Sequence, residues 1–234
     1  MLDQILHPSI DFGIETVFIL IILVALEAVL SADNAIALAS IAQGLKDEKE
    51  QNYALNIGLL MAYVLRVLLI VTATWVIKYW QFSLLGGLYL LWLTFQYFAN
   101  NDEDGDNQNP KLNFNSLWQA IPMIAFTDLA FSLDSVTTAI AVADEIWLII
   151  AGGTIGVIAL RFLAQLFIRW IEEFTHLQDA GFITVGLVGL RLIVKVIEPN
   201  IVPPEWLMIS VIIAMFVWGF SKKNDLEVTD SSES

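Results

Sequence analysis

The chain has no cysteine, which excludes disulfides, thiolate metal centres and a cysteine nucleophile together while leaving the redox compartment open. Histidine is almost missing: His7 and His176 are the only two, and both lie outside the long apolar runs. Bases are scarce as well. Eleven Lys and Arg face 25 Asp and Glu, a formal net charge of −14, and no basic patch offers itself to nucleic acid. Charged residues make up only 15%, against 57% apolar residues and a mean hydropathy of +0.70. A soluble domain does not have that composition. The expectation is an all-α polytopic membrane protein forming a single transmembrane domain in a lipid bilayer. The first residues, with Asp3 and Asp11 and no Lys or Arg, lack the basic start of a signal peptide, so the first apolar segment is read as a real span.

In chain order, Gly13 to about Ala42 is apolar apart from Glu15 and one polar motif, and is longer than the ~20 residues that cross a bilayer. A tilt or a break would absorb the excess. Further spans are expected over Leu55–Ile77, Phe82–Ala99, Leu117–Ala143, Ile146–Trp170 and Ala180–Ile197, with a brief seventh over residues 205–220. An acidic linker occupies residues 100–116, and the tail over residues 221–234 is polar enough to be disordered.

Two stretches of this chain are alike. Glu27-Ala-Val-Leu-Ser31-Ala-Asp33-Asn34 and Asp128-Leu-Ala-Phe-Ser132-Leu-Asp134-Ser135 share acid, serine, acid and short polar residue at one spacing, and Asp128 follows Glu27 by the same 101 residues as Asp134 follows Asp33. Gly58 and Arg66 are matched by Gly153 and Arg161, again eight residues apart, and Gly87-Leu88 loosely by Gly186-Leu187. The pattern predicts two three-helix units, residues 13–99 and 117–197, plus one extra C-terminal helix. Because three is odd, the second unit enters the membrane from the opposite side, an inverted repeat of the kind that places transporter sites at the midplane. Lys78 and Lys195 fall on the N-terminal side, and Lys46, Lys49, Lys111, Arg169, Lys222 and Lys223 on the other. The positive-inside rule then puts the N-terminus outside and the C-terminus in the cytoplasm.

An ionised Asp at a helix centre costs ~2.5–3.5 kcal/mol on the insertion scale, so four such acids left bare would approach ~10–14 kcal/mol. They must be protonated, paired or holding a cation. Two serine hydroxyls and an Asn amide beside them make an all-oxygen donor set that suits Mn²⁺, Mg²⁺ or Ca²⁺ better than copper or zinc. The candidate metal residues are Glu27, Ser31, Asp33, Asn34, Asp128, Ser132, Asp134 and Ser135. At ~100° per residue, Glu27, Ser31 and Asn34 share a face within about 60°, whereas Asp33 points roughly 120° away, and the second copy repeats the offset. Either each helix unwinds near its serine, as Ser, Asp and Asn permit, or Asp33 and Asp134 face another neighbour.

Glu27 to Ala39 and Asp128 to Asp144, with Gly87-Leu-Tyr-Leu-Leu-Trp92-Leu between them, resemble the TerC family of integral membrane proteins, which includes tellurium-resistance proteins and Alx-type manganese exporters. The likeness runs over about residues 12 to 220. It implies that Glu27, Asp33, Asn34, Asp128 and Asp134 are metal and transport residues, with Ser31, Ser132 and Ser135 as weaker carry-overs. The expected location is the plasma (inner) membrane, or a thylakoid membrane, since plant relatives are linked to thylakoid membrane assembly.

The leading expectation is a divalent-cation exporter, for Mn²⁺ above all, working by alternating access in exchange for protons, without enzymatic activity or a bound cofactor. A membrane-protein assembly scaffold and an intramembrane aspartyl protease using Asp33 and Asp134 are the competing readings. Arg66 and Arg161 are read either as counter-charges to the acids or as snorkelling side chains, and Arg191 as structural. Asp102, Asp104 and Asp106 resemble the start of a calcium loop, but Asn107 and Asn113 stand where it needs Gly and Glu. Trp80, Trp118, Trp147 and Trp206 near span ends fit an interfacial belt. Protein partners are not specified by the sequence.

Overall fold

The structure, a computed structural model, describes residues 14–30, 32–99, 116–143 and 145–224, together with Leu112 and Phe114. Among them the regular structure is helical: α1 (Ile14–Leu30), α2 (Ala32–Gln43), α3 (Glu48–Val76), α4 (Trp80–Ala99), α5 (Leu117–Val142), α6 (Ile146–Glu173), α7 (Leu177–Ile197), a 3₁₀ turn at Pro199–Ile201, and α8 (Glu205–Gly219). Helices satisfy their own backbone groups, which lipid cannot do. Five of them, α3 to α7, are long and apolar enough to cross a membrane. Shorter apolar stretches lie in α1, α2 and α8. Seven crossings therefore require α1 and α2 to span jointly and α8 to span with 15 residues, about 22 Å against a hydrocarbon core of about 30 Å.

Local signals set the helix ends. Asp47 caps α3 by accepting from the Lys49 amide at 2.9 Å, and Glu48 and Glu50 lie in the first turn, where the helix dipole favours acids. Ser116 caps α5 through the Trp118 amide at 3.2 Å.

Helix α3 packs on α5, and α6 packs on α1 and α2; α4 crosses α7; α2 touches α7 as α4 touches α5; and α3 meets α6. Exchanging the first unit with the second maps this neighbour set onto itself. One contact nearly repeats: Gly58 of α3 faces Ile124 of α5, and Gly152, the neighbour of its repeat match Gly153, faces Leu23 of α1, with Leu23 and Ile124 separated by the same 101 residues as the acidic motifs. The crossing of α4 and α7 is a backbone contact: a Cβ on Gly87 would lie 2.8 Å from the Gly189 carbonyl oxygen, and one on Gly189 would lie 3.0 Å from that of Gly87. Small residues allow such an approach. Gly87 thus meets Gly189, while Gly186, its loose counterpart in the repeat, faces Thr94.

Helix α5 runs unbroken through Asp128, Ser132, Asp134 and Ser135; of the span expected from Gly13 to Ala42, the described residues form α1 and α2, with Ser31 between them outside the described residues. Large side chains such as Phe18, Phe95, Phe162 and Val217 cover the outside, while Asn34, Ser40, Arg66, Thr127, Asp128, Ser132, Asp134, Ser135 and Thr184 are buried. Polar groups inside and apolar groups outside is the arrangement expected of a bundle dissolved in lipid.

Two segments read as free connections are tied down. Leu112, near the end of the acidic linker, is buried, and the Phe114 amide donates to the Gly44 carbonyl at 2.9 Å. A side chain at Gly44 would strike both residues. Behind α8, the Thr175 amide bonds the Lys222 carbonyl at 3.1 Å and the Asn224 amide bonds the Glu173 carbonyl at 2.8 Å. Residues 221–224 pack against the α6–α7 turn through this backbone pairing, next to the edge-on stack of Phe220 on Trp170 and Phe174. The rest of the tail and Asp102, Asp104 and Asp106 lie outside the described residues.

Candidate functional site

Arg66 is the hub of the bundle interior. Its side chain is 3% exposed. One terminal nitrogen donates to Glu27 of α1, and the other reaches both carboxylate oxygens of Asp128 on α5, at 3.0 and 3.2 Å. Asn34 of α2 donates its amide to the same carboxylate at 3.0 Å, and the Ser132 hydroxyl lies 3.3 Å from its other oxygen. Ser132 also bonds the Asp128 backbone carbonyl at 2.7 Å, keeping its hydroxyl on its own helix. Four helices thus contribute to one cluster, and Asp128 is completely buried.

Helix α6 makes room for it. A Cβ on Gly156 would overlap the Cγ of Glu27, while a Cβ on Gly153 would meet the Arg66 Cδ only at 3.6 Å. Gly153 and Gly156 form the bare surface on which α3 and α1 lay charged side chains, and Gly152 beside them receives Leu23. The run Gly152-Gly153-x-x-Gly156 was the available sequence signal, and reading only Gly153, as the mate of Gly58, missed it.

Two carboxyl groups, of Glu27 and Asp128, share the Arg66 guanidinium. Taking ions out of water costs several kcal/mol each, and only good geometry with every lone pair satisfied offsets it. Arg66 and Asn34 do much of that work here.

Asp134 lies elsewhere, about 9 Å further along α5. It pairs with Arg191 of α7 and with the Lys195 ammonium at 2.8 Å. Because α5 stays continuous, the 120° offset between Asp128 and Asp134 holds, and Asp134 faces α7. Ser135 approaches the Ser132 carbonyl at 3.5 Å and remains on its own helix. Of the eight candidates, then, Glu27, Asn34, Asp128 and Ser132 converge, while Asp134 and Ser135 do not join them. Ser31 and the Asp33 side chain lie outside the described residues, as does the side chain of Glu15. Among the described residues, no three His, Asp or Glu side chains stand close enough to hold a metal ion by themselves. Arg191, read as structural, is the ion-pair partner of Asp134. The signal for that pairing was its i, i+4 spacing from Lys195 on one face of α7.

Arg161 does not reach the acids. It donates to Asn56 at 2.6 Å and Asn52 at 3.2 Å on α3, and to Gln165 at 3.3 Å on α6. Between this group and Arg66, Tyr63 and Thr154 share a hydrogen bond of 3.0 Å. The Thr154 hydroxyl bonds the Ile150 carbonyl at 2.7 Å, so Tyr63 is the donor.

Residues 12–226 match the family described as integral membrane protein TerC family. The uncharacterized membrane protein YceF of Bacillus subtilis is 34% identical over 176 residues, covering 73% of this chain and 68% of its own. The uncharacterized membrane protein YkoY of the same species is 30% identical over 195 residues, covering 75% of this chain and 59% of its own. The inner membrane protein YgdQ of Escherichia coli is 28% identical over 223 residues, covering 87% of this chain and 93% of its own. The chain therefore spans roughly three fifths to two thirds of the two Bacillus relatives. No solved structure matches it.

Proposed function

The chain belongs to the TerC family of integral membrane proteins, and from that membership we propose that it is a transporter exporting a divalent metal cation, Mn²⁺ foremost, by alternating access in exchange for protons. The observation that carries the reading is the meeting of Glu27 and Asp128, repeat-matched acids from the two halves, on the single base Arg66. A divalent cation entering between the carboxylates would balance them and repel the guanidinium. Arg66 would then act as a tethered counter-ion, occupying the site when cargo is absent. Asn34 and Ser132 supply neutral oxygens that suit Mn²⁺, with Ca²⁺ and Mg²⁺ as alternatives of the same chemistry. Protonation of the carboxyls at the other face would release the ion. The proposed orientation keeps the N-terminus outside and the C-terminus in the cytoplasm, in the bacterial inner membrane.

A non-transporting assembly scaffold is the second reading, favoured by the ion pairs that Glu27, Asp128 and Asp134 already make. Mn²⁺ flux in reconstituted vesicles separates the two. Glu27→Gln and Asp128→Asn should each abolish flux in folded protein. Parental flux in both variants would refute the transport site, and absence of flux in the parent would favour the scaffold.

A further inference from the structure

The geometry points to an aqueous crevice between α3 and α6 that leads from the face carrying the α2–α3 connection toward Arg66, closed in this conformation by Leu59 and Val157. The inference rests on the transport reading and gives its central site a route to one side of the membrane.

On α3, residues 52, 56, 59, 63 and 66 follow spacings of four and three, so Asn52, Asn56, Leu59, Tyr63 and Arg66 lie along one stripe. On the facing helix α6, Gln165, Arg161 and Thr154 form the matching row, with Gly153 beside the Arg66 side chain at 3.6 Å. Contacts between the rows are polar at two levels: Arg161 with Asn52 and Asn56, then Tyr63 with Thr154. Between those levels sits an apolar layer, where Leu59, 3% exposed, and Val157 belong to the same packed cluster.

Exposure gives the row its meaning. Asn56 is exposed and stands at the mouth of the span that begins at Leu55, whereas the half-buried Arg161 stands about 14 Å inside the Trp170 end of its span and Tyr63 about 12 Å inside Leu55. A guanidinium presented to hydrocarbon would be costly, so polar side chains at membrane depth face protein or a water-filled cavity. Their neighbours on the same helices, Leu60 and Phe162, are 60% and 68% exposed and apolar, as a lipid-facing surface requires. The polar row is therefore a wetted seam between two lipid-facing strips. Water reaches Arg161, stops at Leu59 and Val157, and would reach Tyr63, Thr154 and the Arg66 cluster once those two side chains part.

The chain has no cysteine, so each introduced thiol is the sole target of a membrane-impermeant methanethiosulfonate in vesicles. Applied at the face carrying the α2–α3 connection, the reagent should label Asn56→Cys and Gln165→Cys at least about tenfold faster than Leu60→Cys and Phe162→Cys, because it attacks hydrated thiolate. Thr154→Cys should react slowly alone and faster when combined with Leu59→Ala or, as the second variant, Val157→Ala. Labelling of the Asn56 and Gln165 positions no faster than at Leu60 and Phe162, or only from the opposite face, overturns the crevice. Labelling at Asn56 and Gln165 with Thr154 indifferent to both alanine variants overturns it as a route to Arg66 and leaves Arg161 a headgroup-facing side chain. Mn²⁺ flux in the same vesicles reports separately: labelling without flux refutes the cargo and retains the crevice, whereas flux without labelling refutes the crevice.

Discussion

Replacing Arg66 with methionine removes the base that holds both Glu27 and Asp128 while keeping most of its apolar stem. Asp128 retains Asn34 at 3.0 Å and Ser132 at 3.3 Å, both neutral donors, but loses two charge-assisted contacts. Glu27, its side chain 12% exposed, loses the same cation. Stripping one partner from a buried pair costs about 3–5 kcal/mol. Asp128→Asn is milder, about 1.5–3 kcal/mol, because Arg66 keeps Glu27 and an amide in place of the carboxylate weakens the Arg66 contacts without leaving a buried charge. In the double variant the methionine no longer strands Asp128, so its cost should fall short of the sum of the singles by about 1–3 kcal/mol. Denaturant unfolding in mixed micelles, followed by tryptophan fluorescence, gives all four corners of the cycle. A cost below about 1 kcal/mol for Arg66→Met, or additivity within about 0.5 kcal/mol, would refute the view of these residues as one charge-paired unit.

Neighbouring glycines on α6 should respond differently to alanine. Gly156→Ala drives a methyl into the Glu27 side chain and should cost about 1–3 kcal/mol and displace that carboxylate, whereas Gly153→Ala meets only ordinary contact at 3.6 Å and should be tolerated; equal unfolding midpoints in detergent would contradict this. At the second cluster, Arg191→Met should destabilise more than Lys195→Met, since the Arg191 side chain is 12% exposed and that of Lys195 36%, and the reverse order in the same assay would show that Asp134 relies chiefly on the lysine. Gly87→Ala should force α4 and α7 apart at the Gly189 carbonyl, again at about 1–3 kcal/mol, and a crystal or cryo-EM structure with an unchanged crossing would contradict it.

Much of the site was legible because burying an acid in lipid is so costly that it cannot be incidental. Glu27 and Asp128 therefore stood out before any fold was known, and the common 101-residue spacing of the two motifs, with Gly58 and Arg66 matched by Gly153 and Arg161, suggested the duplication along the chain. What the chain alone left open was direction. The 120° offset of Asp134 allowed two outcomes, and the choice depended on whether α5 would hold its helix through Ser132, a matter of competing hydrogen bonds that no periodicity reports. Arg66 and Arg161 occupy equivalent positions in their repeats, yet Arg66 holds both acids while Arg161 turns to Asn52 and Asn56.

Composition, hydropathy and the repeated motif determined by themselves that this is a helical membrane protein with acids in its interior, since those properties depend on residue type and spacing along one chain. Tertiary structure decided which acids meet, that Arg66 and not Arg161 lies between them, that Gly156 admits Glu27, and that Gly87 crosses Gly189. These are contacts between residues tens of positions apart, fixed by how helices of finite width pack. A sequence specifies which faces are sticky; only packing in three dimensions selects their partners.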